Sequence, residues 1–168
     1  AGHSITPPVA SLVPIVTAED WPKQAQGLSL KNVSLTVTDK TTGKQVFAKQ
    51  GEMLFTHFGV SGPLVLSASV WMRPMEPGRY ALSIDLKPAL TPEQLDVRLV
   101  RDFEENSNRD FCNALDGLLP KKLIDPVVAL SGIPAHQKVN ALTKVQRQEL
   151  GRLLKHLTLT AKEFRPIA

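Results

Sequence analysis

The strongest constraint on the fold is a change in the spacing of apolar residues near Thr91. Residues 28–38 and 79–86 alternate between apolar and polar side chains, and this period of two predicts β-strands. Between residues 91 and 156 the apolar residues recur every three or four positions, which predicts helices. Residues 157–162 alternate again. This order predicts an α+β fold, in which a β-barrel-like unit carries an inserted helical subdomain and is closed by a C-terminal strand.

We place three parts along the chain. The β-barrel-like part spans residues 1–88, the helical subdomain spans residues 89–156, and residues 157–168 form the returning strand of the β part. No internal repeat and no low-complexity linker divides them. A chain of 168 residues is long enough for one sizeable core or for two smaller ones.

The β part has distinct local signals. Pro14 interrupts its first apolar run, which favours an edge strand. The alternation of the second strand breaks once, at Lys31 and Asn32, which predicts a β-bulge. A turn over residues 39–43 then leads into a hairpin partner. The predicted strands before Thr91 span residues 11–16, 28–38, 44–50, 53–56 and 79–86.

The helical part contains two helix-start signals. Thr91 with Gln94, and later Thr143 with Gln146, have the spacing of a capping box, and Pro92 suits a first helical turn. Apolar stripes then predict the inward faces of the helical segments. In chain order these stripes comprise Leu95, Leu99, Val100 and Phe103; Phe111, Leu115, Leu118 and Leu119; Leu123, Ile124, Val127, Val128 and Leu130; and Leu150, Leu153 and Leu154.

Several kinds of chemistry are excluded by the residues. No two glycines lie two positions apart, so the dinucleotide-binding GxGxxG motif is missing, and there is no GxxxxGK[ST] phosphate loop. The histidines are isolated from one another and from Cys112, so no zinc site is predicted. His57 and Ser61 could form a base and a nucleophile, but no elbow motif or acid accompanies them. The sequence therefore identifies no catalytic residue and no metal ligand.

The single cysteine bears on the cellular compartment. Cys112 cannot form an internal disulfide, which suits a reducing compartment, and its apolar helical surroundings predict a buried packing residue rather than a nucleophile. No run of about 18 apolar residues could span a bilayer, and no charged-then-apolar leader is present. The sequence thus predicts a soluble, cytoplasmic protein without a membrane partner.

Charge is distributed unevenly along the chain. The formal net charge is +4, and residues 119–168 carry nine Lys/Arg against three Asp/Glu. Such a surplus permits a nucleic-acid or phosphate-bearing partner, although a solvated helix face explains it more simply. The interleaved aromatics of a single-strand binder are missing, so nucleic acid is not the favoured partner. The alternative function, a basic helical module that binds nucleic acid or a protein, would use Lys121, Lys122, Lys138, Lys144, Arg147, Arg152 and Lys155.

The most distinctive stretch, residues 51–63, has the sequence GEMLFTHFGVSGP. Pro63 suits a first helical turn and Ser61 can cap it, so a helix is predicted to begin here. Helix N-termini expose unpaired amides and favour negative charge. Gly59 and Gly62 suit a place where a ligand or another backbone comes close.

Thr56 and His57 add a hydroxyl and a titratable imidazole to this stretch. One interpretation is a ligand-facing corner. The other is a tight strand-to-helix corner in which a backbone carbonyl satisfies His57. Local physics does not choose between them.

Residues 51–63 are similar to the signature of the bacterial BaiN-like flavoproteins, a family of NAD(P)/FAD-dependent oxidoreductases also labelled aminoacetone-oxidase-like. Residues 2–8 and 11–14 resemble the stretch that leads into the insert of that family, and residues 118–123 resemble its helical part. The resemblance covers essentially the whole chain.

The resemblance implies a specific role. In that family the FAD-binding Rossmann domain is split, and an insert made of a β-barrel and a helical subdomain lies between its halves. The resemblance implies that this chain is the insert, a substrate or cap domain, with FAD in the parent protein and NAD(P)H as a candidate donor. The implied partners are the Rossmann FAD domain of the same parent chain and a small-molecule substrate, and neither flavin binding nor catalysis is expected of the fragment alone. Phe55 or Phe58 would wall the pocket. The cofactor-facing residues are expected to be Phe55, Thr56, His57, Gly59, Ser61 and Gly62.

Overall fold

The computed structural model describes residues 12–165, which divide into two compact units. The barrel unit runs to Ile84 and resumes at Thr158, and the helical unit comprises Asp85–Leu157. Residues 2–8, which contributed to the family resemblance, lie outside the described residues. Within residues 12–165 no helix is long and apolar enough to cross a membrane.

Six strands form a closed barrel in the order β1-β4-β3-β2-β5-β6. The last strand in the chain, β6, lies between β5 and β1 and so completes the closure. The α+β class and the closing C-terminal strand are therefore confirmed. The strands are β1 Ile15–Thr17, β2 Ser29–Asp39, β3 Lys44–Phe55, β4 Gly59–Ser61, β5 Tyr80–Asp85 and β6 Leu157–Phe164.

The long β2–β3 hairpin supplies much of the barrel wall. The predicted bulge is confirmed by a register shift between Leu30 and Val33, and a second shift lies between Val37 and Thr38. Inward-facing side chains of β2, such as Leu35, are fully buried. The alternation in the sequence thus marks the residues that fill the barrel.

The two separate strands predicted over residues 44–50 and 53–56 are wrong, because β3 is one continuous strand of 12 residues. Gly51 does not interrupt it. A Cβ on Gly51 would lie 3.2 Å from Cγ of Leu64, so this glycine lets the helix α1, Pro63–Ser69, pack closely on the strand. A glycine within a strand here marks a close approach rather than a turn.

The first strand is not the edge strand predicted over residues 11–16. β1 pairs with β4 on one side and with β6 on the other. Pro14 precedes the strand, so its missing N–H removes no bond from either ladder. Its carbonyl instead accepts a hydrogen bond from the backbone N–H of Arg165, at 2.9 Å.

Four helices build the helical unit, and both predicted capping boxes are confirmed. The Thr91 hydroxyl accepts from the Gln94 N–H at 3.1 Å, and the Gln94 side chain accepts from the Thr91 N–H at 2.9 Å. Thr143 and Gln146 form the same pair of bonds. The helices are α2 Pro92–Glu105, α3 Phe111–Ala114, α4 Lys121–Ser131 and α5 Lys144–Lys155.

The predicted helix over the stripe Phe111 to Leu119 is shorter than expected. α3 makes only one turn and ends at Ala114, and turns follow it. Gly117 disfavours a helix interior, and Pro120 restricts the residue before it. The apolar residues of the stripe are still buried, so the pattern identified the core but not the element.

Candidate functional site

The stretch singled out in the sequence forms the β3–β4 hairpin. The Thr56 N–H donates to the Gly59 carbonyl at 3.0 Å, and the Gly59 N–H donates to the Thr56 hydroxyl at 3.1 Å. The Thr56 side chain therefore closes a tight turn with His57 and Phe58 at its tip. We refer to His57 and Phe58 as the hairpin tip.

Both glycines of the stretch are required by neighbouring backbone. A Cβ on Gly59 would collide with the carbonyl oxygen of Ile15 in β1. Gly62 has a φ of +92°, and a Cβ there would lie 2.9 Å from the Leu54 nitrogen. Of the two explanations considered, close approach of another backbone is the one observed at both positions.

The stretch is two structural corners rather than one. β4 separates the hairpin tip from α1, which begins after Gly62. Ser61 was predicted to cap this helix, but it is the last residue of β4, and Gly62 occupies the N-cap position without a side-chain bond. Since a strand rises about 3.3 Å per residue, three residues of β4 separate the two corners by about 10 Å. Thr56 and His57 therefore do not flank the start of α1.

The hairpin tip presents two rings. His57 is exposed, and its ring meets that of Phe58 edge-on with centroids 5.2 Å apart. The guanidinium of Arg165 lies 4.6 Å from the centre of the Phe58 ring, and the Thr17 N–H donates to the Phe58 carbonyl at 3.1 Å. The backbone of the tip is thus fixed against β1.

The predicted site residues differ in accessibility. Phe55 is fully buried in the barrel, with its ring centroid 5.5 Å from that of Trp21. Ser61 is half-buried. Within residues 12–165, neither the His57 ring nor the Ser61 hydroxyl forms a hydrogen bond, so no backbone carbonyl of the described chain satisfies His57. Within the described part of the chain, the His57 imidazole is therefore available to hydrogen-bond a ligand.

A cavity of about 520 Å³ lies beside the hairpin tip, entirely within the barrel unit. Glu19 in its wall is already engaged, because its carboxylate accepts from the Thr160 N–H at 2.8 Å and from the Thr160 hydroxyl at 2.9 Å. Charges of both signs face this space. The cavity is lined by Val16, Thr17, Ala18, Glu19, Asp20, Pro22, Lys23, His57, Phe58 and Lys162.

Sequence reasoning missed Lys23 and Lys162 as members of this cavity. Lys23 belongs to a 3₁₀ turn, Trp21–Ala25, that was not predicted, and Lys162 belongs to β6. These residues are 139 positions apart in the chain. Only barrel closure brings them together, so no local pattern could have identified them.

Three of the seven predicted basic residues of the helical unit form ion pairs with acidic residues. Lys138 pairs with Asp110 at 2.7 Å, and Lys155 pairs with Asp85 at 2.8 Å. Arg147 pairs with Asp96 at 2.8 Å. Asp85–Leu157 as a whole carries 11 Lys/Arg and 10 Asp/Glu, so the formal net charge of the helical unit is only +1.

The described residues contain no cluster of three or more potential metal ligands. His57 and Ser61 form no hydrogen bond with each other, so the base and nucleophile considered for them are not assembled. Cys112 is half-buried rather than buried as predicted, and its sulfur lies 3.8 Å from the Asn113 side-chain oxygen. It is the second residue of the short helix α3.

Residues 9–168 match the family model described as HI0933-like protein barrel and H2TH domain. The chain is 31% identical over 160 residues to a ribosomal RNA dihydrouridine synthase of Haemophilus influenzae, covering 95% of this chain and 36% of the relative. It is 29% identical over 133 residues to the Escherichia coli protein of the same name, covering 79% and 30%.

A third relative, the 3-dehydro-bile acid delta(4,6)-reductase of Clostridium scindens, is 28% identical over 170 residues, covering 96% of this chain and 39% of the relative. The chain therefore spans between 30% and 39% of the length of these relatives. The family resemblance found in residues 51–63 is confirmed. With its closed barrel and helical unit, the chain belongs to the HI0933-like barrel and H2TH domain family, the family of BaiN-like FAD-dependent oxidoreductases.

Proposed function

We propose that this chain is the insert domain of an FAD-dependent oxidoreductase, and that its hairpin tip contributes to the flavin or substrate pocket. The observation that carries the proposal is the hairpin tip, with its exposed His57 and half-buried Phe58, beside a cavity of about 520 Å³. The imidazole has no hydrogen-bond partner in the described chain, and the turn that holds it is fixed by backbone bonds. Such a fixed, available polar group is suited to positioning a ligand.

The connections of the barrel support an insert. β1 and β6 are paired neighbours, and Pro14 and Arg165 are joined by a backbone hydrogen bond of 2.9 Å. In an insert, both connections to the parent would thus leave from adjacent points. The Arg165 guanidinium also contacts the ring of Phe58, so the tip lies close to the C-terminal end of β6.

The residues of this chain would bind and orient rather than react. The flavin of such an enzyme supplies the electron transfer, and the protein supplies placement and electrostatics. His57 would hydrogen-bond the flavin or substrate, Phe58 would wall the pocket, and Lys23 and Lys162 would favour negative charge there. NAD(P)H is the proposed electron donor. Ser61 and Gly62, which β4 separates from the tip, would contact the ligand at the start of α1.

Replacing His57 or Phe58 by alanine in the flavin-loaded parent enzyme is expected to change the flavin absorption spectrum or its reduction potential. Turnover of His57→Ala should fall about tenfold, which corresponds to the loss of one hydrogen bond of about 1.4 kcal/mol. The measurements are flavin absorption, redox titration and steady-state kinetics.

His136→Ala is the matched control for this experiment, since His136 is 84% exposed and belongs to the helical unit. It should leave all three quantities unchanged. Unaltered spectrum, potential and turnover in both His57→Ala and Phe58→Ala would overturn the assignment of the tip to the pocket.

The relatives suggest a second candidate, contact with nucleic acid, because two of them are named for ribosomal RNA while the third is named for a bile acid. The ion pairs of the helical unit weigh against basic-face binding, since they engage Lys138, Arg147 and Lys155 internally. We therefore propose a small molecule as the substrate class.

In a gel shift with single-stranded and duplex RNA at low salt, we expect no complex with the 168-residue chain. Electrostatic binding weakens steeply with salt because counterions are released. A complex that dissociates with added salt, and that is lost in the combined variant Lys121→Ala, Lys144→Ala and Arg152→Ala, would establish the second function instead.

A further inference from the structure

An exposed apolar patch lies on the barrel unit. It consists of Leu12, Val70 and Trp71, whose exposed fractions are 49%, 39% and 60%. The next residue, Met72, is fully buried, so the chain directs Trp71 outward while its neighbour enters the core. The other large apolar side chains exposed on residues 12–165 lie on three different helices of the helical unit: Val97, Leu130 and Val145.

Contacts on both sides of Trp71 join this segment to the first and last strands. The Val13 N–H donates to the Ser69 hydroxyl at 3.2 Å in a buried bond. The Arg73 guanidinium lies 5.1 Å from the centre of the Phe164 ring. The patch therefore lies where the polypeptide enters β1 and leaves β6.

We infer that this patch docks against the FAD-binding part of the same parent polypeptide. The inference rests on the proposed function. The chain spans between 30% and 39% of its relatives, so in a parent of similar length the larger part of the polypeptide would connect through β1 and β6. Because the patch adjoins the start of β1 and the end of β6, connectivity would bring that part of the polypeptide near the patch.

The composition of the patch agrees with a buried interface. Tryptophan is enriched at the centres of interfaces, where burial of its large ring supplies much of the binding free energy. Clusters of exposed large apolar side chains commonly mark an interaction site, whereas single ones need no explanation. Trp71 with Val70 and Leu12 is such a cluster, and Val97 and Val145 are single residues.

Hydroxyl-radical footprinting, read residue by residue by mass spectrometry, tests the docking with the same chemistry at two tryptophans. Trp21 is 9% exposed and serves as the buried reference. In the 168-residue chain we expect Trp71 to oxidise several-fold faster than Trp21. In the parent enzyme the rate at Trp71 should fall to that of Trp21.

A variant provides an independent measurement. Trp71→Ser in the parent is expected to split a single thermal transition into two, whereas Val97→Ser, at a position of the helical unit that is 69% exposed, should not. In the footprinting experiment, the inference would be overturned if Trp71 oxidised as fast in the parent as in the 168-residue chain. Protection that depends on the concentration of the 168-residue chain would identify a second copy as the occupant and would overturn it too.

The two proposals fail separately. An accessible Trp71 in a parent whose flavin properties respond to His57→Ala rejects the docking surface alone. A protected Trp71 in a parent that is indifferent to His57→Ala and Phe58→Ala rejects the role of the hairpin tip alone.

Discussion

Gly59→Ala is expected to lower the free energy of unfolding by about 3 kcal/mol or more, because the added Cβ has no space. It would overlap the Ile15 carbonyl oxygen and lie 2.8 Å from the Thr17 nitrogen. Both atoms belong to backbone, so no side-chain rotation relieves the overlap. β1 would have to move away from β4, with which it pairs at Ile15–Val60 and Val16–Gly59.

Gly43→Ala is the matched control for Gly59→Ala. Gly43 has a φ of +72°, but a Cβ there would meet no atom within 4 Å. Gly43→Ala should therefore lower the free energy of unfolding only by the conformational strain, about 1 kcal/mol. Urea unfolding of both variants measures the difference. Equal losses at the two positions would contradict the claim that contact with β1, rather than backbone conformation, determines the residue at position 59.

At Gly59 and Gly62 the sequence alone could not determine which group comes close to the glycine. The sequence indicated that a ligand or a backbone approaches Gly59 and Gly62. It could not choose, because the approaching atoms at Gly59 belong to Ile15 and Thr17, more than 40 residues earlier in the chain. When pairing with a distant strand requires a glycine, the only evidence in the local sequence is the glycine itself.

Features with local causes were predicted well. The two capping boxes need only four consecutive residues each, and the bulge after Leu30 needs only a break in the alternation. β4 was missed because three residues are too few to show a period. That omission merged the hairpin tip and the start of α1 into one corner, which misplaced the predicted cap at Ser61.

Charge was the property that the linear sequence represented least well. The basic surplus of residues 119–168 suggested an anionic partner, but three of its nine basic residues pair with acidic residues from earlier in the helical unit: Asp85, Asp96 and Asp110. Along the chain these charges are separated, and in the fold they are neighbours. The cavity beside His57 is the opposite case, since it gathers Lys23 and Lys162 from distant segments.

Asp39→Asn is expected to lower the midpoint of thermal unfolding by several degrees at neutral pH. Arg79 donates from Nε and Nη2 to both carboxylate oxygens of Asp39, at distances of 3.0 to 3.3 Å. Thr41 adds its N–H at 3.0 Å and its hydroxyl at 2.7 Å. An asparagine cannot accept all of these bonds, and the Arg79 guanidinium, whose side chain is only 19% exposed, loses its buried counter-charge and keeps only the exposed Glu76.

The dependence of stability on pH distinguishes the contribution of the Asp39–Arg79 ion pair from that of packing at Asp39. The hydrogen bonds from Arg79, and then those from Thr41, hold the pKa of Asp39 well below its ordinary value. A carboxylate with a lowered pKa stabilises the fold fully above its unfolded pKa of about 3.9, and that contribution is lost as the pH falls below it. The difference in the midpoint of thermal unfolding between the unsubstituted 168-residue chain and Asp39→Asn should thus be constant from neutral pH to about pH 5. It should shrink below about pH 4.

Glu76→Gln is the control, because Glu76 also pairs with Arg79, at 2.6 Å, but its side chain is 59% exposed. Exposed ion pairs contribute little to stability. The midpoint of thermal unfolding of Glu76→Gln should therefore be close to that of the unsubstituted chain at every pH. If the gap for Asp39→Asn did not shrink in acid, loss of packing or of neutral hydrogen bonds would explain it. The charge of Asp39 would then not be what joins the β2–β3 turn to the start of β5.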